Sequence, residues 1–202
     1  MYQLYSFPFS QHSRRVISLL EQAGIEYENH QVDMINGEHM QAAYLAINPN
    51  HQVPTLIDSG TKIHESNAIL RYLCIKHELS QWYPQQPDLL ARVEQWLDWT
   101  QCQLSPLVIA IVLNRVFLGD DGDKQAADEA AMKIQSRFGI MESYLAGTQF
   151  LAGDTPTIAD LALASSVFQL SLADASPQTP NILRWYQAVE ALPGFQKSLP
   201  KT

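Results

Sequence analysis

The run Ser10-Gln11-His12-Ser13-Arg14-Arg15-Val16 is the stretch of this chain whose residue types and spacing suit chemistry. It follows a short apolar run and opens a segment of helical spacing, so its hydroxyls fall at a helix N-terminus. Such an end presents unpaired N–H groups and a partial positive charge, and so stabilises anions. A thiolate is one such anion, and a serine hydroxyl can donate a hydrogen bond to it. Lowering a thiol pKa from ~8.5 by one unit takes only ~1.4 kcal/mol, within the ~1.5–3 kcal/mol of a charge-assisted hydrogen bond. A serine in this place also serves as an ordinary helix cap. Ser13, one turn further on, is the competing hydroxyl; Ser10 is favoured by its place at the start.

The elements around this run read as an α/β layer. Gln3 to Phe7 is a buried strand, and Val16, Ile17, Leu19, Leu20 and Ala23 form a helical face stopped by Gly24. Glu26 to Val32 is a second strand. Val53 to Ile57 and Thr61 to Ile63 make a hairpin across Asp58-Ser59-Gly60, and Ser66 to Leu79 is a helix. Trp82-Tyr83-Pro84-Gln85-Gln86-Pro87 reads as a linker, and everything beyond it reads helical: 89–104, 107–118 after a kink or restart at Ser105-Pro106, 125–145, 157–172 and 182–191. The expected organisation is a domain over 1–79, a linker over 80–87 and an all-helical domain over 88–202.

Composition narrows the classes. With 46% hydrophobic and 17% charged residues, the 202-residue chain can bury a core. A formal charge of −8, with no basic cluster longer than Arg14-Arg15, argues against nucleic acid. Met1 to Ser10 carries no positive charge and is a poor signal peptide. The longest apolar stretch, Leu107 to Leu113, is short of a membrane span. Cys74 and Cys102 lie far apart in helical patterns, which suits small core residues, not a disulfide framework. A cytoplasmic protein without metal or membrane contact is the expectation.

Further segments resemble those of the glutathione transferase family, in the family's order along the whole chain. Asn48-Pro49-Asn50-His51-Gln52-Val53-Pro54-Thr55-Leu56 resembles its N-P-x-x-x-V-P-x-L. Glu65-Ser66 with Ala68-Ile69-Leu70-Arg71-Tyr72-Leu73 resembles its E-S-x-A-I-x-x-Y-L. Val32-Asp33-Met34-Ile35-Asn36-Gly37-Glu38-His39 resembles a loop of theta-like classes, and Gly153-Asp154-Thr155-Pro156-Thr157-Ile158-Ala159-Asp160 the capped core helix of the C-terminal domain. In that last segment Thr157-x-x-Asp160 also reads as a capping box.

The resemblance implies a thioredoxin-like N-terminal domain with a mixed four-stranded sheet, followed by an all-helical domain. It implies glutathione as co-substrate and conjugation of its thiolate to small electrophiles, with a role in detoxification. Ser10 would hold the thiolate, as in the serine-type theta and delta groups. Tyr5 lies on the first strand, where tyrosine-type classes keep their tyrosine, but the register Ser10-x-x-x-Arg14 is similar to the serine type. Val53 would pair its backbone with the cysteinyl part before a cis Pro54. Glu65 and Ser66 would hold the γ-glutamyl end, Ser66 also serving as a cap, while Gln11, His39 and Gln52 complete the glutathione contacts. Gln52 departs from the lysine frequent in theta relatives. The electrophile would meet Phe9, Ile109, Val112, Leu113 and Phe117 between the domains, and the family implies a homodimer. A glutathione-dependent isomerase or dehalogenase, or a non-catalytic interaction protein on the same fold, remains open.

Overall fold

In the computed structural model, which describes residues 1–200, the chain divides into two compact units, residues 1–79 with the C-terminal segment from Leu192, and residues 80–191. The first begins with β1 (Tyr2–Ser6), α1 (Gln11–Ala23) and β2 (Tyr27–Gln31). Leu4 of β1 is fully enclosed, as are Val16, Leu19 and Leu20 of α1. Gly24 ends α1 in the left-handed region at φ 64°, donating its N–H to Leu20 O. A 3-10 turn (Glu38–Met40) and the short α2 (Ala42–Leu45) lead to β3 (Thr55–Asp58), β4 (Thr61–His64) and α3 (Ser66–Lys76).

The sheet has four strands in the order β2-β1-β3-β4. β1 runs parallel to β2 and antiparallel to β3, and β3 and β4 form the expected hairpin. A parallel pair needs a crossover, which α1 supplies. This is the mixed, thioredoxin-like sheet implied by the motifs. Its register decides where the loops fall: Tyr5 faces Thr55, and Thr55 faces His64. The residues just outside these pairs, Pro54 and Glu65, therefore lie at the sheet end where β1 gives way to α1.

The second unit is helical. It contains α4 (Pro87–Trp99), α5 (Ser105–Val112), α6 (Lys124–Leu145), α7 (Ile158–Ser171) and α8 (Pro180–Glu190). The helix does not restart at Pro106. A π-helical turn, Thr100–Leu104, precedes α5 and another, Leu113–Phe117, follows it, so the backbone stays helical from Pro87 to Phe117. A proline lacks the N–H for an α-helical bond, and a widened turn absorbs that defect without breaking the rod. At 31 residues this helix is far longer than the Leu107 to Leu113 stretch on its own, and by length and composition alone it could cross a membrane. It buries Val93, Trp96, Leu97, Leu104, Val108 and Ile111 in the second unit.

Three expectations need correction. Residues 80–87 are not a free linker: Trp82 is buried, and its carbonyl accepts from Ile158 N–H at 3.0 Å within the second unit. The helical domain does not extend to the C-terminus, because α9 (Pro193–Ser198) packs on α1 in the first unit. Gln22 Oε1 accepts from Gly194 N–H at 2.8 Å, and Ser18 Oγ donates to Ser198 Oγ at 2.8 Å. A Cβ at Gly194 would fall 2.5 Å from Ser18 O, so only glycine allows this approach. Finally, Cys74 is buried but Cys102 is exposed, since the apolar face of its turn belongs to Leu104.

Candidate functional site

Ser10 is the N-cap of α1. Its backbone is extended, and its Oγ accepts from Ser13 N–H at 3.2 Å. An accepting hydroxyl keeps its own hydrogen, so Ser10 can still donate. Ser13 is placed differently. It is fully buried, and its Oγ accepts from Phe7 N–H at 3.2 Å, bracing the loop before the helix. Of the two hydroxyls, Ser10 is the one left partly open at the helix end. The Tyr5 ring is stacked on His30 at 4.8 Å and meets Tyr44 edge-on at 6.1 Å, a packing role in the sheet and its loop. Gln11, the first residue of α1, is 3% exposed and both atoms of its side-chain amide lack a hydrogen-bond partner among the described residues. A buried amide left unpaired is costly and marks a place to look for a ligand.

The Val53-Pro54 peptide bond is cis, in the form the motif implies. Val53 packs in a small cluster with Val32 and Tyr44, against Phe7, Met34 and Ile47. Side chains of earlier residues fix the loop from outside. Gln52 O accepts from Tyr44 O–H at 2.6 Å and from Asn48 Nδ2 at 2.9 Å. Asn48, 1% exposed, also donates to Thr55 Oγ1 at 3.0 Å and accepts from Asn50 N–H at 3.0 Å. Tyr44 and Asn48 are thus the positioning residues that sequence reasoning missed. The polar Asn48 ahead of an apolar strand was the available signal. The side chain of Gln52 itself is exposed. His39 sits on the 3-10 turn, partly buried, with its Nδ1 enclosed and unpaired among the described residues.

Glu65 and Ser66 stand at the start of α3. Glu65 occupies the N-cap with φ 68° and ψ 108°, a strained backbone for a residue with a Cβ, and no side chain caps the helix. Ser66 is therefore the first helical residue and not the cap; it is 5% exposed. The Glu65 side chain is exposed. Uncapped N–H groups and a serine hydroxyl at a helix start form a carboxylate-binding arrangement. Two side-chain ties join this end to that of α1. Ser66 Oγ lies 3.5 Å from His12 Nδ1, and Arg15 Nη1 donates to Asn67 Oδ1 at 3.0 Å. Burial, reinforced by the Arg15 charge, pushes the His12 pKa down to about 3, so its ring is neutral.

The structure thus gathers Ser10, Val53-Pro54 and Glu65-Ser66 at one end of one sheet. The apolar residues expected to meet an electrophile differ in their own units. Phe9 is 37% exposed and its ring lies 5.8 Å from that of Phe7. Ile109, Leu113 and Phe117 are exposed on the long helix, whereas Val112, at 1%, is held in the core of the second unit.

Comparison with known proteins agrees with this geometry. Residues 1–74 match the glutathione S-transferase N-terminal domain, and residues 104–193 match the glutathione S-transferase C-terminal domain. Glutathione S-transferase 3 of Zea mays is 31% identical over 98% of this chain and 92% of its own length. Glutathione S-transferase D7 of Drosophila melanogaster is 30% identical over 97% of this chain and 88% of its own. The theta class glutathione S-transferase of Xanthomonas axonopodis pv. citri, solved with glutathione bound, superposes with a TM-score of 0.92 at 26% identity, covering 100% of this chain and 98% of that one. With both domain models matched in order and relatives aligned over nearly its full length, the chain belongs to the glutathione S-transferase family.

Proposed function

We propose that this protein binds glutathione on its first unit and conjugates the glutathione thiolate to small hydrophobic electrophiles, with Ser10 as the thiolate's hydrogen-bond donor. The observation that carries this reading is the exposure of the two candidate hydroxyls: each accepts one backbone N–H, but Ser10 stands partly open at the helix start while Ser13 is fully buried. The helix field and the Ser10 donor together favour the ionised sulfur.

In this reading the α-carboxylate of glutathione meets the uncapped start of α3 and Ser66. Its ammonium meets Glu65, and its cysteinyl backbone pairs with Val53 ahead of Pro54. Gln11 gains a partner for its buried amide. His39 and Gln52 receive the glycine carboxylate. On the first unit the electrophile reading rests on Phe9 beside Ser10; on the second, taken by itself, Ile109, Leu113 and Phe117 are exposed and Val112, which is buried, supports it least. The working protein is proposed to be a homodimer, as its family implies.

With a chlorinated nitroaromatic substrate, the thiol first loses its proton to solvent. The sulfur then forms a bond to the ring carbon, and the carbon–chlorine bond breaks to release chloride. Ser10→Ala is expected to lower kcat/KM about 10–100-fold, the worth of one charge-assisted hydrogen bond, and to raise the apparent pKa of the rate profile. A rate equal to that of the unaltered protein would rule out the role given to Ser10.

A further inference from the structure

The chemistry of the γ-glutamyl end asks something of Ser66 that its own position does not guarantee. A serine hydroxyl has one hydrogen. If that hydrogen points at a neighbouring acceptor, the oxygen turns its lone pairs toward the incoming carboxylate and repels it. The neighbour is His12, whose Nδ1 lies 3.5 Å from Ser66 Oγ although the two residues are 54 apart in sequence. Hydrogen bonds of this kind commonly shorten when substrate binds. The pair cannot drift far. One turn along α1, Arg15 donates to Asn67, the residue after Ser66, in a buried bond of 3.0 Å that fixes the two helix starts against each other.

We propose that His12 is a positioning residue for glutathione: its Nδ1–H donates to Ser66 Oγ and thereby turns the Ser66 hydroxyl hydrogen toward the α-carboxylate at the start of α3. The inference deepens the function proposed above and rests on it. A neutral imidazole carries a single N–H and chooses between two tautomers. Enclosure and the nearby Arg15 charge keep a second proton off the ring. A carboxylate at Ser66 selects the tautomer protonated at Nδ1, because only that one leaves the serine hydrogen free. The relay then runs from His12 Nδ1–H to Ser66 Oγ, and from the Ser66 hydroxyl to the carboxylate. It touches the end of glutathione remote from the sulfur, so it acts on binding and not on the chemical step.

The test uses the full chain with a saturating chlorinated nitroaromatic and varied glutathione, comparing the unaltered protein with Ser66→Ala, His12→Ala, His12→Asn and the double variant Ser66→Ala/His12→Ala. Asparagine places an N–H donor where His12 has Nδ1. Ser66→Ala and His12→Ala are each expected to raise the glutathione KM about 10-fold with kcat within about twofold. His12→Asn is expected to restore KM, and the double variant to be no worse than Ser66→Ala alone. Nitrogen-15 shifts of His12 in the unaltered protein saturated with glutathione are expected to report the Nδ1–H tautomer. Multiplying losses in the double variant, failure of asparagine to restore KM, or the Nε2–H tautomer would each overturn the relay. The tautomer measurement decides the matter even if His12→Ala does not fold. If Ser66→Ala weakens glutathione and His12→Ala does not, the relay falls and the glutathione site stands; if the unaltered protein shows no glutathione binding at millimolar concentration, both fall.

Discussion

Two helix starts in this chain carry a hydroxyl and a carboxylate side by side. At α7 these groups satisfy one another and their neighbours. Asp160, fully buried, accepts from Thr157 N–H at 2.8 Å, Thr157 O–H at 3.0 Å, Leu151 N–H at 2.9 Å and Trp185 Nε1–H at 2.8 Å. At α3 the groups are left open. Glu65 holds a strained backbone, its exposed carboxylate does not cap the helix, and among the described residues Ser66 Oγ has the long contact to His12 alone. The same residue types thus close one helix end and leave the other in want of a partner. A closed polar network stabilises a fold; an open one is poised for a ligand, and its strain is sustained by the surrounding structure.

The largest effect is expected at the closed end. Asp160→Ala strands every donor just named inside the core, at a cost of about 3–5 kcal/mol, or a fall in Tm of roughly 10 °C. Chemical denaturation measures it. A loss below about 1 kcal/mol would mean that Asp160 is a simple cap and that the two ends are less different than their geometry says.

Acid should act with opposite sign on His12, the α1 residue beside the α3 end, and on Asp160 at the α7 end. Burial lowers the His12 pKa to about 3, so the unfolded chain binds a proton at this site below about pH 6.5 that the folded chain refuses. Stability from His12 is therefore fully present above pH 6.5 and is lost as pH falls toward 3, by up to about 1.4 kcal/mol per pH unit. At Asp160 burial outweighs the surrounding donors and raises the pKa above its usual value. There the folded state takes the proton first, so its contribution rises as pH falls through the folded pKa. Denaturation curves should show a shallower acid loss in His12→Asn between about pH 6.5 and 3, and a steeper acid loss in Asp160→Asn as pH falls through the raised pKa of Asp160. Parallel curves for all three proteins would remove the distinction.

How much of this was legible in the sequence follows from the range of each interaction. The Thr157–Asp160 box spans three residues and can be read directly, as can the stop of α1 at Gly24 and the cis-prolyl segment through its motif. Ser10 was legible as a helix-start hydroxyl, but what separates it from Ser13 is the burial of Ser13, which only the fold supplies. The role of His12 is not legible in the sequence, because its partner lies on another helix. The strain at Glu65 was invisible because nothing in a glutamate announces a positive φ. The placement of α9 on α1 hid in Gly194, whose missing Cβ looks like a turn signal until Ser18 and Gln22 are seen beside it. Pro106 misled in the other direction, since the wide turn that absorbs it leaves no mark in composition.

The smallest effect tests whether the strain at α3 belongs to function. Glutamate at φ 68° forces its Cβ against the backbone, and a non-glycine residue held in such a region costs on the order of 1 kcal/mol or more. Glu65→Gly removes the Cβ. It is expected to stabilise the free protein by about 1 kcal/mol, net of the extra chain entropy glycine brings, and to weaken glutathione by about tenfold through loss of the ammonium's partner. Denaturation of the free protein and calorimetric titration with glutathione read the two changes separately. A variant that loses both stability and affinity would show that Glu65 supports the fold and that its backbone is not strained in the sense argued. A variant that gains stability and keeps affinity would show strain without purpose, and would move the ammonium's partner elsewhere. Only a gain in one with a loss in the other sets α3 against α7, where no substitution at Asp160 is expected to improve anything.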